Sequence, residues 1–290
     1  MNTALSNLPP VVIHDTAEMQ QHCLDLRRAG KRISFVPTMG FLHEGHLSLL
    51  HAGRKRGDVL VLSIFVNPAQ FGPNEDLDSY PRDLTRDLEL AAAAGTDLVY
   101  APLPQDVYPD GYATYVNVEG LTETLCGASR PHHFRGVTTI VNKLFNIVQP
   151  DVALFGEKDF QQLAVIRRMT RDLNMPVEII GLPIVREADG LAMSSRNVYL
   201  SDTQRQQALT LSVAIAKARQ MAAGGEKSCA KILTMIQELF EQQSEARIDY
   251  LQICHQSTLV DQEDVDADSV LLLAVFFGKT RLIDNSFLLA

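Results

Sequence analysis

The sequence predicts an α/β protein in which a parallel sheet, covered on both faces by helices, is followed by a smaller α+β domain. Three observations carry that expectation. Up to about residue 183, short apolar runs alternate with segments of helical periodicity, the pattern of a parallel sheet with crossover helices. After Ser201 the order changes to two helix-like segments and then three strand-like runs. Turns rich in Gly, Asn, Gln and Lys follow directly on three of the apolar runs, at the strand ends where such sheets bind ligands.

The first strand is expected at 33–36 (Ile-Ser-Phe-Val), because four largely apolar residues run into a proline- and glycine-bearing turn. Further strands are expected at 59–66, 98–100, 152–155 and 177–182, and helices at 46–56, 82–94, 137–148 and 160–173. Beyond Ser201, helices are expected at 202–223 and 229–242, joined by Gly224-Gly225. Strands at 248–253, 270–277 and 280–283 follow, the last two separated by Gly278-Lys279. The boundary falls near 183–189, which gives domains of 1–184 and 185–290; no repeat or low-complexity tract interrupts them.

The 290 residues suffice for a large core and for two domains, and 46% apolar with 21% charged residues is ordinary for a globular chain. A net charge of −9 argues against a general nucleic-acid surface, so positive potential must be local to a pocket. Cys23, Cys126, Cys229 and Cys254 are widely spaced, which suits buried thiols in a reducing compartment better than a disulfide framework. The first fifteen residues lack a basic stretch followed by a long apolar run, and no segment approaches the ~20 apolar residues of a membrane span. The expectation is a cytoplasmic protein with no membrane partner.

The most informative segment is Pro37-Thr38-Met39-Gly40-Phe41-Leu42-His43-Glu44-Gly45-His46. A strand, a glycine turn and a helix start present backbone N–H groups and the positive end of a helix dipole to an anion. His43 and His46 then stand where a triphosphate would lie, able to donate hydrogen bonds as charge builds on phosphate oxygens. A pair of capping histidines is the plain alternative. Metal ligation carries little weight, since H-E-G-H is one residue short of the spacing that places two ligands on one helix face. Gly156-Glu157-Lys158-Asp159 forms a second strand-to-helix junction, where Lys158 could meet a phosphate or simply belong to a solvated charged turn capped by Asp159. Met193-Ser194-Ser195-Arg196-Asn197 offers hydroxyls and a guanidinium in a loop near the domain boundary, a weak signal by itself. Gln70 sits in a loop constrained by Asn67-Pro68 and Gly72-Pro73, and Arg130-Pro131-His132-His133-Phe134-Arg135-Gly136 brings basic charge to the start of a helix.

In this order the segments resemble the pantoate–β-alanine ligase (pantothenate synthetase) family. The resemblance rests on 37–46, Phe-Val-Asn-Pro-Ala-Gln-Phe at 65–71, Tyr-Pro-Arg at 80–82 and Lys-Leu-Phe-Asn-Ile-Val-Gln-Pro-Asp at 143–151. Gly-Glu-Lys-Asp at 156–159, Met-Ser-Ser-Arg-Asn at 193–197 and Gly-Lys-Thr-Arg-Leu-Ile-Asp-Asn at 278–285 complete it. It covers nearly the whole chain, whereas H-x-G-H and M-S-S-R alone would indicate only the nucleotidyltransferase superfamily. It implies a Rossmann-like N-terminal domain, a smaller C-terminal lid domain and a homodimer. It also implies an AMP-forming ligase that makes a carbon–nitrogen bond. ATP and (R)-pantoate would give pantoyl adenylate and pyrophosphate, and the amine of β-alanine would then give pantothenate and AMP.

Carried onto this sequence, the resemblance makes Met39, Gly40, Phe41, Leu42, His43, Glu44, Gly45 and His46 the ATP loop, with His46 as the catalytic histidine and His43 beside it. Gly156, Glu157, Lys158, Asp159, Met193, Ser194, Ser195 and Arg196 would hold the nucleotide, with Lys158 and Arg196 catalytic. Val185 would flank the adenine, and Gln70 and Gln162 would bind pantoate, Gln70 also near β-alanine. Mg²⁺ would accompany the nucleotide phosphates, with no separate protein metal site. One position departs from the family pattern: His132 stands where the family has glycine, and a positive φ there would strain the loop. The competing readings are a nucleotidyltransferase that leaves the nucleotide on its product, and a nucleotide-sensing domain without turnover.

Overall fold

A computed structural model describes residues 9–73 and 75–289. Six strands pair in parallel: β1 (Val11–Ile13), β2 (Ile33–Thr38), β3 (Val59–Ile64), β4 (Leu98–Tyr100), β5 (Val152–Gly156) and β6 (Glu178–Leu182). Their order across the sheet is β1-β4-β3-β2-β5-β6. Ile33, Ser34, Phe35 and Val36 are all fully buried, so β2 lacks the alternation of a half-exposed strand and reads as a continuous apolar run with one serine. The serine is tolerated because its hydroxyl donates to the Val59 carbonyl at 3.3 Å.

The crossover helices are α1 (Thr16–Arg28), α2 (Glu44–Arg54), α3 (Leu84–Ala93), the one-turn α4 (Pro104–Val107) and α5 (Cys126–Ser129), α6 (His133–Val148) and α7 (Phe160–Asp172). Leu49 and Leu50 of α2 join Val36, Leu60, Leu62, Val99 and Leu154 of the sheet in one core cluster. That burial fixes α2 at the carboxyl end of β2. On the other side, α6 buries Phe134, Val137, Ile140, Val141, Leu144 and Phe145.

Several boundaries differ from the sequence expectation, each for a local reason. Helix α2 starts at Glu44 rather than residue 46, because His43 is its N-cap. Helix α3 starts at Leu84, capped by the Asp83 carboxylate. Helix α6 starts four residues early, at His133. The helix expected over 202–223 is two, α8 (Asp202–Ala208) and α9 (Thr210–Ala223). At the break, the Ser212 hydroxyl donates to the Leu209 carbonyl at 2.9 Å and competes for a ladder acceptor. Strand β1 and helix α1 lie outside the sequence expectation: α1 buries only Met19 and Cys23, too narrow a stripe to read as a helix face.

The remaining elements are α10 (Cys229–Glu241) and three antiparallel strands, β7 (Ala246–His255), β8 (Ser269–Phe277) and β9 (Thr280–Phe287), with β8 central. Their core joins Leu211 and Ile215 of α9, Ile232, Ile236 and Phe240 of α10, and Leu271, Leu273, Val275 and Phe277 of β8. By packing, the described chain forms two units. One holds the residues up to Val118 with Arg130–Glu157 and Val165–Pro183; the other holds Glu119–Ser129, Lys158–Ala164 and the chain from Ile184. Among the described residues no helix is long and apolar enough to cross a membrane.

Candidate functional site

In the first unit the chain builds β3 and β4 to one side of β2, then β5 and β6 to the other. The direction of winding therefore reverses between β2 and β5, and ligands of open α/β sheets bind beyond the strand ends at that point. The turn chosen from the sequence sits there. It is held by the Thr38 hydroxyl, which donates to the Ser63 carbonyl at 2.8 Å and accepts from the Gly40 N–H at 3.2 Å.

Two consecutive residues then take left-handed backbone, Gly40 at φ +83 and Phe41 at φ +50. Left-handed phenylalanine is costly unless its surroundings enforce it. The enforcing group is Asp87 on α3, a buried carboxylate that accepts from the Phe41 and Leu42 N–H groups, each at 2.7 Å. Burial raises the Asp87 carboxyl above its ordinary value, and the Leu42 and Phe41 N–H groups oppose that. Neighbouring Arg86 donates to the Leu42 carbonyl at 3.0 Å and lies 5.4 Å over the Phe41 ring. Residue 40 must be glycine on two counts: its φ, and a Cβ that would stand 3.0 Å from Asp87 Oδ2 and from Ile64 Cγ2.

The histidines cap α2. His43 Nδ1 accepts from the Gly45 N–H at 3.2 Å, the His43 N–H donates to His46 Nδ1 at 3.3 Å, and the ring centroids lie 4.1 Å apart. With both Nδ1 atoms accepting, each neutral ring carries its proton on Nε2, which makes Nε2 a donor. Capping and anion binding are thus compatible here, since the cap fixes both rings at a helix N-terminus.

The turn after β3, Pro68–Gln70, carries Gln70. Its side chain is held at both ends: Oε1 accepts from Asn67 Nδ2 at 2.9 Å, and Nε2 contacts Met39 Sδ at 3.1 Å. Asn67 is fixed in turn by donation to the Gly136 carbonyl at 3.1 Å and by the Tyr108 hydroxyl, which donates to its Oδ1 at 2.8 Å. Burial pushes the Tyr108 phenol far above its ordinary value, so it keeps the proton it donates. The Gln70 main-chain carbonyl accepts from His133 Nδ1 at 2.8 Å and Arg130 Nη2 at 3.3 Å. Arg130 is itself paired with Glu75 through contacts of 2.7 and 2.5 Å. Burial alone would raise the Glu75 carboxyl, but the hydrogen bonds and charge of Arg130 outweigh it and hold that group below its usual range. His132, the residue at the family's glycine position, has φ +71 and makes no side-chain cap bond. It adopts the glycine conformation, while Arg130 and His133 on either side make the contacts.

The other unit holds Lys158, Asp159, Gln162, Val185 and 193–196. Lys158 lies in the 3-10 turn Glu157–Asp159 that follows β5, with Nζ 3.9 Å from Asp159 Oδ2. Gln162 lies on α7, next to a buried Gln161 that donates to the Leu121 and Thr124 carbonyls and accepts from the Cys126 N–H. Val185 and Met193 are joined by a backbone bond of 3.0 Å, and the Ser194 hydroxyl accepts from the Arg196 N–H at 3.3 Å. Asn197 anchors this loop by donating to Glu187 Oε1 at 2.6 Å and to the Ala192 carbonyl at 3.1 Å; Glu187 also takes Arg205 at 2.6 Å.

Each unit therefore brings some of the sequence-chosen residues together: Met39 with Gln70 and His43 with His46 in one, Val185 with Met193 and Ser194 with Arg196 in the other. Sequence reasoning missed Asp87, Asn67 as a side-chain partner of Gln70, Tyr108 and Glu187. Only Asn67 carried a signal, the Asn-Pro turn that Gln70 closes.

A profile of the pantoate-beta-alanine ligase family matches residues 11–287. The chain is 62% identical to the pantothenate synthetase of Syntrophotalea carbinolica, over 96% of this chain and 98% of that one. The crystal structure of the pantothenate synthetase of Thermus thermophilus is similar at a TM-score of 0.92 and 47% identity, covering 97% of this chain and all of that one. A pantoate-beta-alanine ligase from Francisella tularensis, crystallised in complex with beta-gamma ATP and beta-alanine, is similar at a TM-score of 0.78 and 31% identity, over 96% and 98% of the two chains.

Proposed function

The chain belongs to the pantoate–β-alanine ligase family, whose activity joins pantoate to β-alanine, and from that premise we propose a route through an acyl adenylate. The carboxylate of (R)-pantoate attacks the α-phosphate of ATP and releases pyrophosphate; the β-alanine amine then attacks the acyl carbon and releases AMP. The observation that carries this reading is the capped pair His43 and His46, held at the N-terminus of α2 by a turn that Asp87 locks in shape.

A carboxylate approaching a triphosphate meets repulsion, which donors fixed in advance can cancel as charge develops, each contributing a few kcal/mol. In this proposal His43 and His46 donate from Nε2, and the dipole of α2 adds positive potential at its N-terminus. Lys158, Ser194, Ser195 and Arg196 act on phosphate oxygens, with Gly156, Glu157, Asp159, Met193 and Val185 lining the nucleotide. Gln70 and Gln162 orient pantoate through amides that donate and accept. The Francisella tularensis relative bound to beta-gamma ATP and beta-alanine supports both ligands for this chain. Among the described residues no three His, Cys, Asp or Glu side chains cluster as a metal site. Mg²⁺ fits the reading as part of the substrate, held chiefly by phosphate oxygens and water. A cytoplasmic homodimer is part of the same reading and rests on the family resemblance.

The test is exchange of labelled pyrophosphate into ATP. Exchange is expected to require pantoate and to proceed without β-alanine. Lys158→Ala is expected to lower it by at least ~10²-fold with unchanged thermal unfolding, the scale of one transition-state donor. Products of ADP and phosphate, or pantoate-independent exchange, would overturn the adenylate route; wild-type exchange in the variant would remove Lys158 from it.

A further inference from the structure

The segment 278–285 carries no role in the reaction as described, although it lies within the same unit as Lys158 and the 193–197 loop. We infer that Asp284 and Asn285, adjacent residues on β9, are the positioning pair for both phosphate-binding segments of that unit. This rests on the reading of Lys158 and Arg196 as phosphate ligands.

Asn285 is 6% exposed, and its Nδ2 donates to the Lys158 main-chain carbonyl at 2.9 Å across 127 residues of sequence. Two residues further along β9, Phe287 packs edge-on against Phe160, ring centroids 5.8 Å apart. The turn that carries Lys158 is therefore pinned to β9 at its backbone and again just beyond. A lysine ammonium sits on a flexible four-carbon stem, so its aim depends on where the backbone is fixed.

Asp284 holds the other segment. Its side chain is fully buried and takes Arg186 bidentately, at 2.7 and 2.9 Å, while its Oδ1 also accepts from the Asn285 N–H at 2.8 Å. Arg186 donates onward to the Gly190 carbonyl at 3.1 Å and bridges to Ala192. Its neighbour Glu187 receives Asn197. One carboxylate thus fixes the base of the loop whose tip is Met193, Ser194, Ser195 and Arg196. Bidentate arginine pairing sets orientation as well as distance. Strand β9 in turn is registered against β8, Asp284 opposite Leu273 and Asn285 opposite Leu272, so the pair stands against a strand that is buried along nearly its whole length.

The experiment measures Mg·ATP affinity by calorimetry and pantoate-dependent pyrophosphate exchange in the full chain. The proteins are wild type, Asn285→Ala, Asn285→Leu, Lys158→Ala and the double variant Lys158→Ala/Asn285→Ala, each checked by thermal unfolding. Asn285→Leu keeps the side-chain volume without the donor and decides the matter if the truncated form does not fold. Both Asn285 variants are expected to bind ATP about tenfold more weakly, with the KM for β-alanine unchanged. The double variant is expected to bind within about twofold of Lys158→Ala, because Asn285 acts through Lys158. Wild-type ATP affinity in the Asn285 variants, a β-alanine KM that rises with the ATP effect, or multiplied losses in the double variant would each overturn the inference. Those results leave the adenylate reading standing, whereas a Lys158→Ala protein indistinguishable from wild type removes Lys158 as a phosphate ligand, the reading on which the inference rests.

Discussion

Gly136→Ala gives the sharpest test of how Gln70, the glutamine proposed to bind pantoate, is placed. A Cβ at 136 would stand 2.2 Å from the Ala69 oxygen, 2.4 Å from the Ala69 carbon and 2.6 Å from the Gln70 nitrogen, all backbone atoms that cannot rotate aside. Bringing the 2.2 Å contact out to the 3.0 Å that real Cβ atoms need means moving the turn and the start of α6 apart by about 0.8 Å. That movement also stretches the 3.1 Å bond from Asn67 to the Gly136 carbonyl, and through Asn67 it shifts Gln70. Overpacking of this kind costs roughly 1–3 kcal/mol of stability. A misplacement approaching 1 Å at a substrate ligand costs up to ~10²-fold in rate. The expected result is kcat/KM for pantoate lowered ~10²-fold, a nearly unchanged KM for ATP, and a lower unfolding midpoint. The assay is steady-state kinetics with each substrate varied in turn, beside thermal unfolding. A folded variant with wild-type pantoate kinetics would refute the placement of Gln70 by this contact.

Two further outcomes follow from the same region. His132→Gly should be at least as stable as wild type, by up to ~1 kcal/mol in denaturant titration, since relief of the left-handed conformation outweighs the added freedom of the unfolded chain; a loss above ~1 kcal/mol would show that the imidazole itself matters. Glu75→Gln should lose its deficit in acid. The Glu75 carboxyl is held below its ordinary value in the fold, so the Arg130 pair stabilises above the usual carboxylate range and fades as pH falls through the folded value. Stability–pH curves of the two proteins should converge below about pH 4.5, the ordinary glutamate value, and parallel curves would contradict the pairing.

The parts of the molecule legible in the sequence are those written locally. Strand β2 shows as an apolar run because both its faces are buried, and the turn after it shows because a glycine and two histidines fall close together, at 40, 43 and 46. What the sequence hides is written between distant residues. Asp87 reads as one more acid on an amphipathic helix, yet its partners are backbone N–H groups 46 and 45 positions earlier. Asn285 looks like the end of a strand, and its partner is the carbonyl of Lys158. Backbone acceptors and donors have no residue type, so no pattern of letters announces them. Helix α1 escaped for another reason: it buries only Met19 and Cys23, too few positions to show a helix face in the sequence. His132 marks an intermediate case, where the departure from glycine was visible and the left-handed backbone it implied is present.

The carboxylate behind Gly40 and Phe41 bears on any attempt to transplant this turn. Ten residues copied into another protein would arrive without Asp87, and an L-amino acid at 41 would relax towards right-handed or extended backbone, swinging the imidazoles off the helix end. A working graft therefore has to import a second helix bearing an acid at the matching height, together with enough apolar cover to keep that acid dry. The transferable object is a strand, a turn and two helices rather than a decapeptide.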